Sequence, residues 1–178
     1  LYSGAADPRK NLATLIEAYS KLSARLISEY KLVLAGKFLP EEVSLIEDCI
    51  SINSLDRNKI LLTGFVSDNE LVSLYSHCSL FVFPSLHEGF GLPVLEAMSC
   101  GAPVIASNTT SIPEIIDLED ALFDPLDCND LTKLIEKGLT DLGFRNILIL
   151  NSRNKHKNFS WSKTAIKTMV VKLRKVLK

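Results

Sequence analysis

Six short apolar runs, each followed by a chain-breaking residue or a stretch of helical periodicity, constrain the fold of this chain more than any other feature. They are Leu1–Ser3, Lys31–Ala35, Lys59–Thr63, Leu80–Phe83, Pro103–Ala106 and Ala121–Phe123. A strand that is apolar along its whole length, rather than at alternate positions, is one covered on both faces. Strands alternating with helices build a parallel sheet through right-handed crossovers. The expected fold class is therefore α/β, a Rossmann-like doubly wound parallel sheet of about six strands with helices on both faces. Such a sheet binds ligands beyond the carboxyl ends of its strands, where the strand order reverses. Gly4, Gly36, Gly64 and the loop Glu88–Leu92 each follow a strand, so one shared edge is expected to carry them.

The helices have their own signals. Asp7 as N-cap and Pro8 at the first helical position predict a helix with Leu12, Leu15, Ile16, Tyr19 and Leu22 on one face. Pro40-Glu41-Glu42 starts another, with two acids in its first turn as the helix dipole prefers. Ser67-Asp68-Asn69-Glu70 reads as a capping box for a helix to about His77. Further helices are expected over Leu92 to about Ser99, closed by Gly101, and over about 129–139, 144–158 and 160–177.

The 178 residues suit a single domain, and 47% apolar content suffices for its core. No run of eighteen apolar residues spans a membrane, and the first residues lack the charged and apolar regions of a signal peptide. The chain lacks an initiator methionine and opens inside a strand, which predicts a portion of a longer protein. Cys49, Cys78, Cys100 and Cys128 show no C-x-x-C spacing and read as small buried thiols of a reducing compartment. His77, His87 and His156 are scattered without metal-ligand spacing, so no metal is expected. No G-x-G-x-x-G follows a strand and no Walker-A pattern occurs, which disfavours NAD and P-loop chemistry. Residues 145–178 hold ten Lys or Arg and no acid, whereas the first 144 hold ten basic and all 21 acidic residues, a net of −11. The basic end suits a solvated helix face or an anionic membrane surface; the acidic bulk argues against a nucleic-acid partner.

The stretch from Pro84 to Ser107, PSLHEGFGLPVLEAMSCGAPVIAS, carries the chemistry. Gly89 and Gly91 let backbone N–H groups approach a ligand closely. Pro93 fits the first helical position. The helix that follows offers free N–H groups and the positive end of its dipole, an anion site suited to a phosphate or diphosphate. Glu88 stands at the loop mouth. Glu96, about one turn inside the helix, can accept two hydrogen bonds from a vicinal diol such as a ribose.

EGFGLPVLE, with Glu88 and Glu96 eight residues apart, resembles the E-x(7)-E signature of retaining glycosyltransferases of family 4, which have the two-Rossmann-domain GT-B architecture. The likeness covers nearly the whole chain and corresponds to the C-terminal, donor-binding half of such an enzyme. It implies that Glu96 holds the donor ribose, that Gly89, Phe90, Gly91 and Leu92 meet the diphosphate through their amides, and that Glu88 is the catalytic residue beside the transferred sugar. Gly4-Ala5-Ala6-Asp7-Pro8-Arg9-Lys10-Asn11 is similar to the family's phosphate-binding G-R-x-D-P-R-K-N, which makes Lys10 the diphosphate lysine and brings in Gly4. Ala5 stands where many members have a second phosphate-binding arginine, a role Arg9 could take over. Gly64-Phe65-Val66 matches the segment that meets the base, with Val66 at the contact; Lys37 is a weaker candidate for phosphate or base. Phe159-Ser160-Trp161 matches the family's F-S-W element, whose terminal helix, here about 160–177, packs toward the N-terminal domain.

The implied function is transfer of a hexose, with mannose from GDP-mannose the first expectation, from a nucleoside diphosphate sugar to a glycan or lipid-linked acceptor held by the other domain, as in polysaccharide biosynthesis. No metal or other cofactor is expected. The alternatives are a non-catalytic nucleotide-sugar-binding module and a GT-B nucleotide-sugar epimerase. The implied location is the cytoplasm, with peripheral contact at the cytoplasmic face of the membrane through the basic C-terminal region.

Overall fold

The computed structural model describes residues 1–159. Strands β1 (Tyr2–Ser3), β2 (Leu32–Ala35) and β3 (Ile60–Leu62) form one parallel ladder. Strands β4 (Phe81–Phe83), β5 (Val104–Ser107) and β6 (Leu122–Phe123) form a second. The two meet along β1 and β4. The Leu1 nitrogen donates to the Leu80 carbonyl at 2.9 Å, and the Val82 N–H donates to the Leu1 carbonyl at 2.9 Å. These two bonds bracket Leu1 as a parallel pairing does. The spatial order is thus β3-β2-β1-β4-β5-β6, the doubly wound arrangement, and its reversal lies between β1 and β4.

The helices are α1 (Leu12–Ser20), α2 (Ala24–Glu29), α3 (Pro40–Ile52), α4 (Asp68–His77), α5 (Leu92–Ser99), α6 (Ile112–Ile116), α7 (Cys128–Thr140) and α8 (Leu142–Lys155). On one side of the sheet α1 packs against α3 and α7; on the other α5 packs against α4, α6 and α8. Covered on both faces, β4 buries all three of its residues, and Phe81 and Phe83 are wholly inaccessible. The expected fold class is the one observed.

Several local expectations hold. Ser67 and Glu70 close a capping box at the start of α4, with the Ser67 N–H donating to Glu70 Oε2 at 2.7 Å. Glu41 and Glu42 occupy the first turn of α3. Gly101, at φ 77°, ends α5. The helix expected over about 160–177 and Trp161 lie outside the described residues.

Others are corrected. The helix that starts at Pro8 is not the α-helix expected. Asp7 caps a 3-10 turn over Pro8–Lys10, and α1 begins only at Leu12, because Asn11 turns left-handed (φ 58°). The cause is tertiary: Asn11 Nδ2 donates to the carbonyls of Pro84 (3.2 Å) and Pro125 (2.8 Å), and asparagine tolerates that conformation better than most residues. Pro93 is the second helical residue of α5, with Gly91 as N-cap and Leu92 first. The short helices α2 and α6 have no counterpart in the sequence reading; at six and five residues they are too brief to show a period. The four cysteines are free and only partly buried.

Candidate functional site

The loop from Pro84 to Gly91 leaves β4 at the strand reversal and is held by several elements. Its Leu86 N–H donates to the Arg9 carbonyl at 2.7 Å, splicing it to the 3-10 turn after β1. The buried Ser85 offers its carbonyl to the hydroxyls of Ser107 (2.6 Å) and Thr109 (3.2 Å). The Glu88 N–H donates to Thr110 Oγ1 at 3.1 Å, and the Ser111 hydroxyl donates to the Phe90 carbonyl at 2.9 Å. Gly91 has φ 96°, which favours glycine, and a Cβ there would lie 2.5 Å from Ile112 Cδ1 and push that side chain aside. Gly89 is different: its φ is not in the left-handed region, and among the described residues a Cβ would meet nothing within 4 Å. No packing among the described residues explains a glycine there, and the open space beside it is where a ligand can approach. Phe90 is exposed and sets its ring edge-on to Phe159, centroids 5.9 Å apart, which brings the first residue of F-S-W to the loop.

Lys10 and Glu88, 78 positions apart in sequence, meet at 2.5 Å between Nζ and Oε1. Both side chains are mostly buried, at 21% and 12% exposure. The Ser85 hydroxyl donates to the same Oε1 at 2.7 Å, and the Lys10 ammonium lies 5.7 Å from the Phe83 ring centroid. Lys10 thus stands beside the glycine loop and is paired with Glu88. Arg9 is not brought in with it. Its guanidinium is bound to Asp7, Nε to Oδ1 at 2.9 Å and Nη2 to Oδ2 at 3.1 Å, on the exposed surface. Those hydrogen bonds, with the Arg9 N–H, hold the Asp7 carboxyl down at about 2. What Arg9 supplies to the loop is its carbonyl.

At the carboxyl ends of β1, β2 and β3 lies an open cleft of about 310 Å³. Gly4 and Ala5 form its wall after β1, Gly36 and Lys37 after β2, and Phe65 and Val66 after β3, with Pro93 and Glu96 of α5 opposite. Gly36 is fixed by backbone packing, since a Cβ there would lie 2.1 Å from the Gly4 carbonyl oxygen. The cleft therefore collects Gly4, Val66 and Glu96 from three separate parts of the sequence. Phe65, beside Val66, is 81% exposed. A larger cavity, about 450 Å³ and mostly apolar, lies at the opposite, amino ends of the strands and contains none of the expected site residues.

Three supporting residues were not expected from sequence: Ser85 under Glu88, and Tyr75 and Ser3 under Glu96. The Tyr75 hydroxyl donates to Glu96 Oε2 at 3.2 Å and lies 2.6 Å from Ser3 Oγ. Burial is the main reason the Tyr75 pKa is raised, and the nearby Glu96 charge adds to it. In the sequence Tyr75 continues the apolar stripe of α4, so its ring is legible and the use of its hydroxyl is not. His87 is an exposed loop residue. Among the described residues no group of three or more His, Cys, Asp or Glu could hold a metal ion, and no helix is long and apolar enough to cross a membrane.

The chain is similar to known proteins along most of its length. The chain is 48% identical over 159 residues to the serotype-specific mannosyltransferase WbdA of Escherichia coli, covering 89% of this chain and 20% of that protein. It is 36% identical over 169 residues to O-antigen chain mannosyltransferase B of Escherichia coli, covering 95% of this chain and 44% of that one. The sucrose-phosphate synthase structure from Thermosynechococcus elongatus superposes with a TM-score of 0.83 at 29% identity, covering 99% of this chain and 45% of that one. The chain thus spans less than half the length of each of these proteins. The family model described as glycosyl transferases group 1 matches residues 1–155. With that match over most of its length, the chain belongs to the group 1 glycosyl transferases.

Proposed function

We propose that this chain is the donor-binding domain of a retaining glycosyltransferase that moves a hexose from a nucleoside diphosphate sugar to a glycan or lipid-linked acceptor. The observation that carries the reading is the meeting of the Gly4, Val66 and Glu96 cleft with the Lys10–Glu88 pair and the open Gly89 loop at one strand reversal. The ribose would sit on Glu96 and the base near Val66. The diphosphate would lie between the first turn of α5 and Lys10. There the helix amides, the helix dipole and the ammonium would stabilise the charge that develops on the leaving group, with no metal required. Glu88 would face the sugar and stabilise positive charge arising at its anomeric carbon. Binding energy gathered at the ribose and base, remote from the reacting bond, would hold the diphosphate in line. The two mannosyltransferase relatives support mannose as the transferred sugar, and GDP-mannose is the donor proposed for it. The acceptor would be held by a further domain, and the basic region from residue 145 would bring the enzyme to an anionic, cytoplasmic membrane face.

Calorimetric titration of the chain with GDP, UDP and ADP, alongside Glu96→Ala, tests this reading. GDP is expected to bind most tightly and the variant to lose it. Absence of binding by any of the three at millimolar concentration would overturn the proposal.

One observation favours a second reading, a nucleotide-sugar-binding module without catalysis. Ala5 lines the cleft at the position where the family pattern it resembles often has arginine, and Arg9, the candidate replacement, is turned to Asp7. Sugar transfer by the full-length polypeptide would exclude it.

A further inference from the structure

Glu96 is an exposed glutamate with several rotatable bonds, yet its function as a diol acceptor needs one fixed orientation. Among the described residues the side chain that reaches its carboxylate is that of Tyr75, of which 2% is exposed. The Tyr75 ring is locked edge-on against Phe81, centroids 5.3 Å apart and planes at 81°. The proton order along this contact follows from chemistry. A phenol has one proton, and an ionised carboxylate only accepts. Tyr75 therefore donates its hydrogen bond to Glu96, and the Ser3 hydroxyl, 5% exposed, donates to Tyr75. Ser3 comes from β1, Tyr75 from α4 and Glu96 from α5, so the relay ties three elements together beneath the cleft. Tyr75 occupies one acceptor position of the carboxylate and leaves the rest facing outward.

We propose that Tyr75, backed by Ser3, is a positioning residue that orients Glu96 to receive both ribose hydroxyls of a bound nucleotide. The inference rests on the reading of Glu96 as the ribose acceptor. A hydroxyl acting only on stability would affect every ligand alike. A hydroxyl acting through Glu96 matters only when the ligand has ribose hydroxyls to offer.

The test is calorimetric titration of wild type, Tyr75→Phe, Ser3→Ala and Glu96→Ala with GDP or UDP, whichever binds more tightly, and with its 2′,3′-dideoxy analogue. Tyr75→Phe keeps the ring and is expected to weaken the ribonucleotide about 3- to 10-fold while leaving the dideoxy analogue unchanged. Ser3→Ala is expected to show the same selectivity with a smaller loss, and decides the matter if Tyr75→Phe does not fold. Equal losses for both ligands, or no loss for the ribonucleotide, would overturn the inference. If Glu96→Ala loses the ribonucleotide while the Tyr75 and Ser3 variants do not, the inference alone fails. If wild type binds neither ligand, or Glu96→Ala changes nothing, the reading of Glu96 falls with it.

Discussion

Gly89 and Gly91 sit two positions apart in one loop and are glycines for different reasons. Gly91 is held by its positive φ and by Ile112 at its back, so Gly91→Ala should destabilise the fold by about 1–3 kcal/mol in urea unfolding. Gly89 has neither constraint, so Gly89→Ala should leave stability within about 0.5 kcal/mol and weaken nucleotide binding by blocking approach to the loop. Equal unfolding midpoints for the two variants would contradict this assignment. Glu88 poses a related question. Its carboxylate holds the Lys10 ammonium, which the diphosphate would also need. Glu88→Gln removes that competitor, so it is expected to bind nucleoside diphosphate at least as tightly as wild type while the full-length enzyme loses transfer. A loss of diphosphate affinity in the calorimeter would show instead that Glu88 holds Lys10 ready for the ligand. Both glutamates, the lysine and the glycines are legible in the sequence because their types and spacing are restrictive. Ser85 and Tyr75 are not, since serine in a loop and tyrosine on an apolar helix face have many ordinary uses.

At the scale of elements, α4 depends on its cap. Ser67 closes the capping box at the start of α4, the helix from which Tyr75 projects toward Glu96. Ser67→Ala should cost about 1 kcal/mol, read as a lower urea midpoint with unchanged m-value. Asn11 shows the opposite case. Asp7-Pro8 is a good local helix start, yet the helix waits until Leu12 because Asn11 is drawn to carbonyls 73 and 114 positions away. Local propensity can state that a turn begins at Asp7 and is silent on bonds to residues that arrive later in the chain. The strands, marked by runs of apolar residues, lie within one residue of their expected bounds, while α2 and α6 are too short to leave such a mark.

Over the whole molecule, three buried tyrosines set an alkaline limit. Burial pushes Tyr19 up to about 12, and Tyr2 and Tyr75 shift in the same direction. A phenol raised in the folded state stays protonated there while the unfolded chain, with an ordinary value near 10, gives its proton up. The stability this provides is fully present below about pH 10 and is lost as pH rises from there through the folded values. Urea midpoints should therefore be level for these groups between about pH 7 and 9 and fall between about pH 10 and 12. Tyr19→Phe, which removes one such group, should make that fall shallower; an unchanged slope would show that Tyr19 titrates normally.

The sequence by itself determined the fold class, placed a glycine loop between a strand and a helix, and supplied the residues proposed to meet a nucleotide sugar. These rest on apolar periodicity and on short motifs, which are properties of neighbours in the chain. Only the tertiary structure decided that Lys10 pairs with Glu88, that Arg9 turns to Asp7 rather than to the cleft, and that Ser3 and Tyr75 stand beneath Glu96. Each of those contacts joins side chains on different elements, or selects among several rotamers of a long side chain. Such choices are made by the packing of β1 against β4 and of α4 against α5, where surfaces far apart in sequence first become neighbours.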